Sequence, residues 1–135
     1  MDDLSFRRAR HVVTENARTL GVIPSLEKGD WTKVGQLMNA SHVSMRDDYE
    51  VSCEEIDILV DLAKNYDGVY GSRLTGGGFG GCTVTLVAKE HSEGLQNYLQ
   101  KEYKAKTGKD CFCFETQPAK GAHLLNVDDY SVIGE

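Results

Sequence analysis

Apolar residues recur at steps of three and four over the first twenty positions: Phe6, Ala9, Val13, Ala17 and Leu20. That spacing predicts an amphipathic helix over residues 4–20. Gly21 is a natural stop for it, and Pro24 lies just beyond. A second helix is expected to start at an Asp30 cap, with Trp31, Val34, Met38 and Ser41 on one face and Trp31 in the core. Ser52 followed by Glu55 has the form of a capping box for a third helix. Its buried stripe is Ile56, Leu59, Val60 and Ala63, and the Asn65–Gly68 cluster ends it.

The period then changes. Val69–Leu74 is short, β-prone and bounded by glycine, and Cys82–Val87 alternates with Cys82, Val84 and Leu86 on one side. Leu95, Tyr98, Leu99 and Glu102 return to helical spacing after a candidate Ser92 cap. Cys111–Thr116 reads as a third strand, and His123–Val127 as a fourth. The expected fold class is α+β: an open, mostly antiparallel sheet of three to four strands with helices packed on one face. The 135 residues fit one domain, 1–135, with a real core.

Composition narrows the function. The net charge of −6 argues against a nucleic-acid binder, and no apolar run approaches a bilayer span. The N-terminus lacks the pattern of a secretory signal, which makes cytoplasmic the default expectation. The four cysteines contain no C-x-x-C and the four histidines no i, i+4 pair, so no metal site is expected. Cys111 and Cys113 share a strand face and read as packed core thiols rather than a redox pair. Eight acids face only Lys64 over residues 47–67, read as a solvated helix face with acids near its N-terminus. Asp47 and Asp48 fall outside that helix and stay open to a cleft role. Cys82 has no histidine motif to make it a nucleophile.

The strongest chemical signal is the run from Gly71 to Gly81, which holds six glycines in eleven residues. Gly76, Gly78 and Gly81 satisfy G-x-G-x-x-G, but that fingerprint requires a helix directly after the loop. The residues that follow, Cys-Thr-Val-Thr-Leu-Val, form a strand pattern, and no Gly-Lys-Ser/Thr supplies a Walker A loop. A hairpin tip needs one or two glycines. Five in the six positions Gly76–Gly81 point to repeated positive φ, or to close approach of a ligand or neighbouring loop, and consecutive amides there can form an anion nest.

The segment Gly71–Leu86 is similar to the third conserved motif of the GHMP kinases, and its Thr-Gly-Gly-Gly-Phe-Gly-Gly-Cys form resembles the galactokinase branch. Arg7–Asn16, Leu37–His42 and Arg46–Ser52 resemble segments of the same family in the same order, so the resemblance covers Phe6 to Leu125. It implies transfer of the γ-phosphoryl of Mg-ATP to the anomeric hydroxyl of galactose by a full-length enzyme. Thr75, Gly76, Gly77, Gly78, Phe79, Gly80 and Gly81 match the family's loop at the phosphate side of the cleft, with Ser72 and Arg73 leading into it.

The family's sugar signature, serine-rich phosphate loop and aspartate base have no counterpart here, and all eight serines are isolated. The resemblance therefore implies a C-terminal portion without the N-terminal half. It would carry no catalytic residue, hold neither ATP nor Mg2+ alone, be inactive by itself and be prone to self-association. A non-catalytic sugar-sensing or interaction module derived from the kinase fold is the alternative. Arg7, Arg8, Arg10 and His11 crowd the first turns of the first helix, where the dipole disfavours cations. With the helix's apolar face they are candidate interdomain contacts, and Asp47 and Asp48 are candidate cleft residues.

Overall fold

The computed structural model describes residues 2–124. Helix α1 spans Asp3–Glu27, α2 Trp31–Ser44, α3 Glu54–Lys64 and α4 Ser92–Thr107; strands β1 and β2 span Val69–Thr75 and Cys82–Val87. A π-helical turn, Met45–Tyr49, prolongs α2, and a 3₁₀ turn, Lys89–His91, leads into α4. The strands pair antiparallel, with Thr75 opposite Cys82 and Ser72 opposite Thr85, and the register is irregular between Val69 and Gly71.

Several local expectations change. The first helix runs through both stop signals to Glu27, because Gly21 and Pro24 lie on its exposed side, where water can satisfy the backbone that proline leaves unpaired. Cys53, rather than Ser52, occupies the cap position of α3, because the Ser52 hydroxyl donates instead to Asp57 at 2.6 Å. Trp31 is 44% exposed, at the first position of α2 rather than in the core. Asp47 and Asp48 are helical, within the π turn.

Among the described residues the sheet has two strands. Cys111–Thr116 keeps the expected alternation, with the cysteines half-buried and Phe112 and Phe114 exposed, but it forms no ladder with β1 or β2. Of His123–Val127, His123 and Leu124 are not in a strand, and the remainder lies outside the described residues.

Two apolar clusters hold these elements. Met45, Ile56, Val60 and Leu74 join the π turn, α3 and β1, while Leu62, Ala63, Leu95, Leu99 and Tyr103 join α3 to α4. Full burial of side chains such as Val60 and Leu74 stabilises by about 1.5–3 kcal/mol each. Helix α3 contributes to both, which follows from its stripe: Ile56 and Val60 face one cluster, and Ala63 the other.

α1 leaves its apolar repeat uncovered among the described residues. The residues of its apolar repeat, Phe6, Val13 and Leu20, are 49%, 68% and 70% exposed. The face that meets the rest of the chain is polar: His11 and Ser25 are buried, and Glu15 and Arg18 are half-buried.

Candidate functional site

Helix α2 fixes β1, and β1 carries the glycine loop. At the crossing, a Cβ on Gly35 would lie 1.9 Å from the Tyr70 carbonyl oxygen, and one on Gly71 would lie 2.3 Å from the Gly35 carbonyl oxygen. Neither position has room for a side chain. Farther along, the Ser72 amide donates to Asn39 Oδ1 at 2.9 Å, and the Leu74 amide donates to His42 Nδ1 at 3.3 Å. Two side chains from successive turns of α2 thus take the amides that β1 directs away from β2, closing an edge that would otherwise be bare.

His42 is 2% exposed, and burial lowers its pKa below the ordinary value, the nearby Asp57 carboxylate opposing. Accepting from Leu74 at Nδ1 places its proton on Nε2, which lies 3.2 Å from Asp57 Oδ1 but is not directed at it as a hydrogen bond. Ser72 is fully buried, and its hydroxyl bonds Thr85 Oγ1 across the ladder at 2.8 Å. It holds the strands and stands back from the loop surface. Arg73 turns the other way: its guanidinium sits 3.5 Å from Glu15 of α1, and its Nε donates to the Leu74 carbonyl at 3.0 Å.

The loop from Gly76 to Gly81 takes left-handed φ at Gly76 (84°), Gly78 (84°), Phe79 (59°), Gly80 (120°) and Gly81 (93°). Such a run is accessible to glycine and strained for Phe79, which is 77% exposed. One anchor holds it: the Phe79 amide donates to the Val51 carbonyl at 2.7 Å, and a Cβ on Gly78 would lie 2.4 Å from that same oxygen. Gly76, Gly77, Gly80 and Gly81 have open space where a Cβ would stand. Their amides find no protein acceptor among the described residues. Clustered free amides without side chains in front of them fit an anion such as a phosphate group. A metal ion is less well served, since no three His, Cys, Asp or Glu side chains gather to hold one among the described residues.

Below the loop lies a charged junction. Arg7 donates to the Asp47 carbonyl at 3.0 Å and pairs with Glu50; Arg8 pairs with Glu50 at 2.5 Å and donates to the Asp48 carbonyl. Arg10 pairs with Asp48, its Nε lying 3.1 Å from Oδ1. Behind this pair, Ser44 donates to Asp48 Oδ2 at 3.1 Å and bonds His11 Nδ1 at 2.9 Å, and the His11 ring stacks on Tyr49 at 4.6 Å. The Arg10 bond holds the Asp48 carboxyl below the usual range against the opposing effect of burial, and Arg7 and Arg8 do the same for Glu50. The cations at the start of α1 therefore meet acids and carbonyls of this same chain. Asp2 caps the helix by accepting from the Ser5 amide at 2.8 Å, and Asp3 pairs with Arg7.

The structure brings Thr75 and Gly76–Gly81 together as one loop, and gathers Arg7, Arg8, Arg10, His11, Asp47 and Asp48 into one junction. The residues that position both were given no positioning role in the sequence: Glu15, Asn39, His42, Glu50 and Val51 lie within the segments that resemble the family, and Gly35 lies outside them. Gly35 left a signal of its own, since a glycine inside a helix is disfavoured by about 1 kcal/mol against alanine and calls for a packing reason.

Comparison with known proteins gives this arrangement relatives. The family model of the GHMP kinases C terminal matches residues 22–105. The galactokinase of Bos taurus is 48% identical over 126 residues, 93% of this chain and 31% of that protein. The galactokinase of Chloroflexus aurantiacus is 55% identical over 101 residues, 75% of this chain and 26% of that protein. The crystal structure of Lactococcus lactis galactokinase complexed with galactose superposes with a TM-score of 0.77 at 41% identity, covering 81% of this chain and 28% of that one. The chain spans less than a third of the length of these relatives. With its loop, its helix–strand crossing and this match over most of its length, the chain belongs to the GHMP kinase family, in its C-terminal region.

Proposed function

We propose that this chain is the C-terminal portion of a kinase that transfers the γ-phosphoryl of ATP to the anomeric hydroxyl of galactose, and that the loop Thr75–Gly81 closes the phosphate side of the cleft. The observation that carries this reading is the loop itself: five of its residues take left-handed φ, and the amides of Gly76, Gly77, Gly80 and Gly81 are free with open space where side chains would stand, in a chain about half identical to galactokinases. Bound ATP with Mg2+ would supply the phosphoryl donor and neutralise its charge. The residues here would support it through backbone amides, and the metal's ligands would come from the rest of the enzyme.

The exposed apolar face of α1 supports the same reading. Phe6, Val13 and Leu20 form a stripe that the described residues leave uncovered, as expected of a surface that meets an N-terminal portion of the enzyme. Arg7, Arg8 and Arg10 border that stripe, so their interdomain role is to shape the junction that presents it.

The test is an assay of ATP-dependent galactose phosphorylation by this chain alone, and then after mixing with a separately made N-terminal portion from a galactokinase. The expected result is silence alone and turnover after mixing. Turnover by the chain alone overturns the reading, and so does a mixture that binds galactose without phosphorylating it, which is the behaviour of a sensor.

A further inference from the structure

The extended segment after α4 carries Cys111 and Cys113 on one face. Side chains two residues apart on an extended chain start roughly 6.6 Å apart, twice the rise per residue. Here the two sulfurs lie 4.0 Å from each other. The thiols have therefore turned toward one another. Both are half-buried against the α3–α4 cluster, while Phe112 and Phe114 point away into solvent and stack at 5.8 Å. Both are free thiols.

Two thiolates bound to one ion at about 2.3 Å stand from about 3.8 Å apart at a tetrahedral angle to about 4.6 Å apart in line, a range that holds the observed separation. No third His, Cys, Asp or Glu converges with them among the described residues, which disfavours an ion that requires four protein ligands. Thiolate pairs select soft ions, and of these Cu(I) is content with the fewest ligands. We infer that Cys111 and Cys113 form a two-thiol site for a soft monovalent ion of the Cu(I) class. Binding replaces two S–H bonds by two Cu–S bonds: Cu+ and two thiols give one dithiolate complex of charge −1 and release two protons to solvent, with no change of oxidation state. Burial, and then the neighbouring Cys111, push the Cys113 thiol up to about 11, a cost that the ion must overcome there. The inference is independent of the kinase reading.

The test titrates the reduced chain anaerobically against the coloured Cu(I) complex of bicinchoninate. The chain, and its Cys53→Ala/Cys82→Ala variant, should each withdraw one equivalent of Cu(I); Cys111→Ser and Cys113→Ser should each lose that uptake, with unchanged far-ultraviolet dichroism. No uptake by the unaltered chain overturns the inference, as does full uptake by either Cys111 or Cys113 variant. Should a serine variant fail to fold, X-ray absorption of the copper-loaded parent decides: two sulfur neighbours per copper support the site, and a shell of nitrogen or oxygen overturns it.

Discussion

On its β1 side, α2 meets the strand through Gly35 and Gly71, with no side chain between the backbones and with Asn39 and His42 taking the strand's amides. On its α1 side it meets a helix through polar groups: Ser41 on Glu15, Ser44 on His11, and, in the turn that prolongs it, Asp48 on Arg10. The first contact is dry and tolerates no added atom. The second is wet at its rim and is held by charges that water and salt compete for. The same helix therefore fixes the glycine loop rigidly through β1 and holds α1 adjustably, which suits a loop that must be placed and a helix whose apolar face is uncovered.

The largest effect should come from Gly35→Ala. Its Cβ would stand 1.9 Å from the Tyr70 carbonyl oxygen, and only a shift of the whole helix relieves that. A loss of about 3 kcal/mol or more is expected in urea unfolding of the purified chain, at the severe end for overpacking. A variant as stable as the parent would show that the crossing is looser than described.

Next comes the loop. Gly78→Val meets both left-handed φ and the Val51 carbonyl, whereas Gly80→Val meets left-handed φ in open space. Backbone strain alone costs about 1–3 kcal/mol, so both should lower the melting temperature, Gly78→Val more. Equal losses would show that the Val51 anchor does not matter.

Acid separates the two contacts. His42 has a folded-state pKa below its ordinary 6.5, so the unfolded chain binds more protons in that window, and stability falls as pH drops through about 6.5 toward the folded value. Asp48 and Glu50 are depressed carboxyls, whose contribution is present above their ordinary values near 4 and is lost as pH falls through the folded ones. Thermal melts from pH 7.5 to 3 should show two steps of destabilisation. His42→Gln should remove the upper step and, by stripping the Leu74 amide of its acceptor, cost about 1–3 kcal/mol at neutral pH.

The smallest effect belongs to Arg10→Glu. It should lower the melting temperature slightly at low salt, and less at 1 M salt, because the Arg10 side chain is 47% exposed. A loss that ignores salt would mean that packing, rather than charge, holds the junction.

Much of this was legible in the sequence. The α2 cap at Asp30, the α3 stripe, both strands of the hairpin and the glycine loop follow from local periodicity and turn chemistry, and the structure has them. What escaped depends on the partner that an element meets. Nothing local says that β1 will cross at Gly35, or that Glu50 will receive Arg7 and Arg8 across some forty residues. The apolar repeat of α1 gave the helix, but not the polar side by which it packs on α2, which depends on the partner it meets. Gly21 and Pro24 are local stop signals overridden by the packing of Ser25. The alternation at Cys111–Thr116 predicted the facing of the side chains, while strand status requires a pairing neighbour that the alternation cannot supply.

The π turn at Met45–Tyr49 has a consequence for chain length. Each helical residue advances the side-chain direction by about 100°, so deleting one residue there, which would let the turn relax to an ordinary α-helix, swings every later group by about that angle. Asp48 and Glu50 would leave the line of Arg10, Arg7 and Arg8, and Val51 would no longer present its carbonyl to the Phe79 amide. One surplus residue thus sets the register of both the junction and the loop anchor, and this short stretch should admit substitutions far more readily than insertions or deletions.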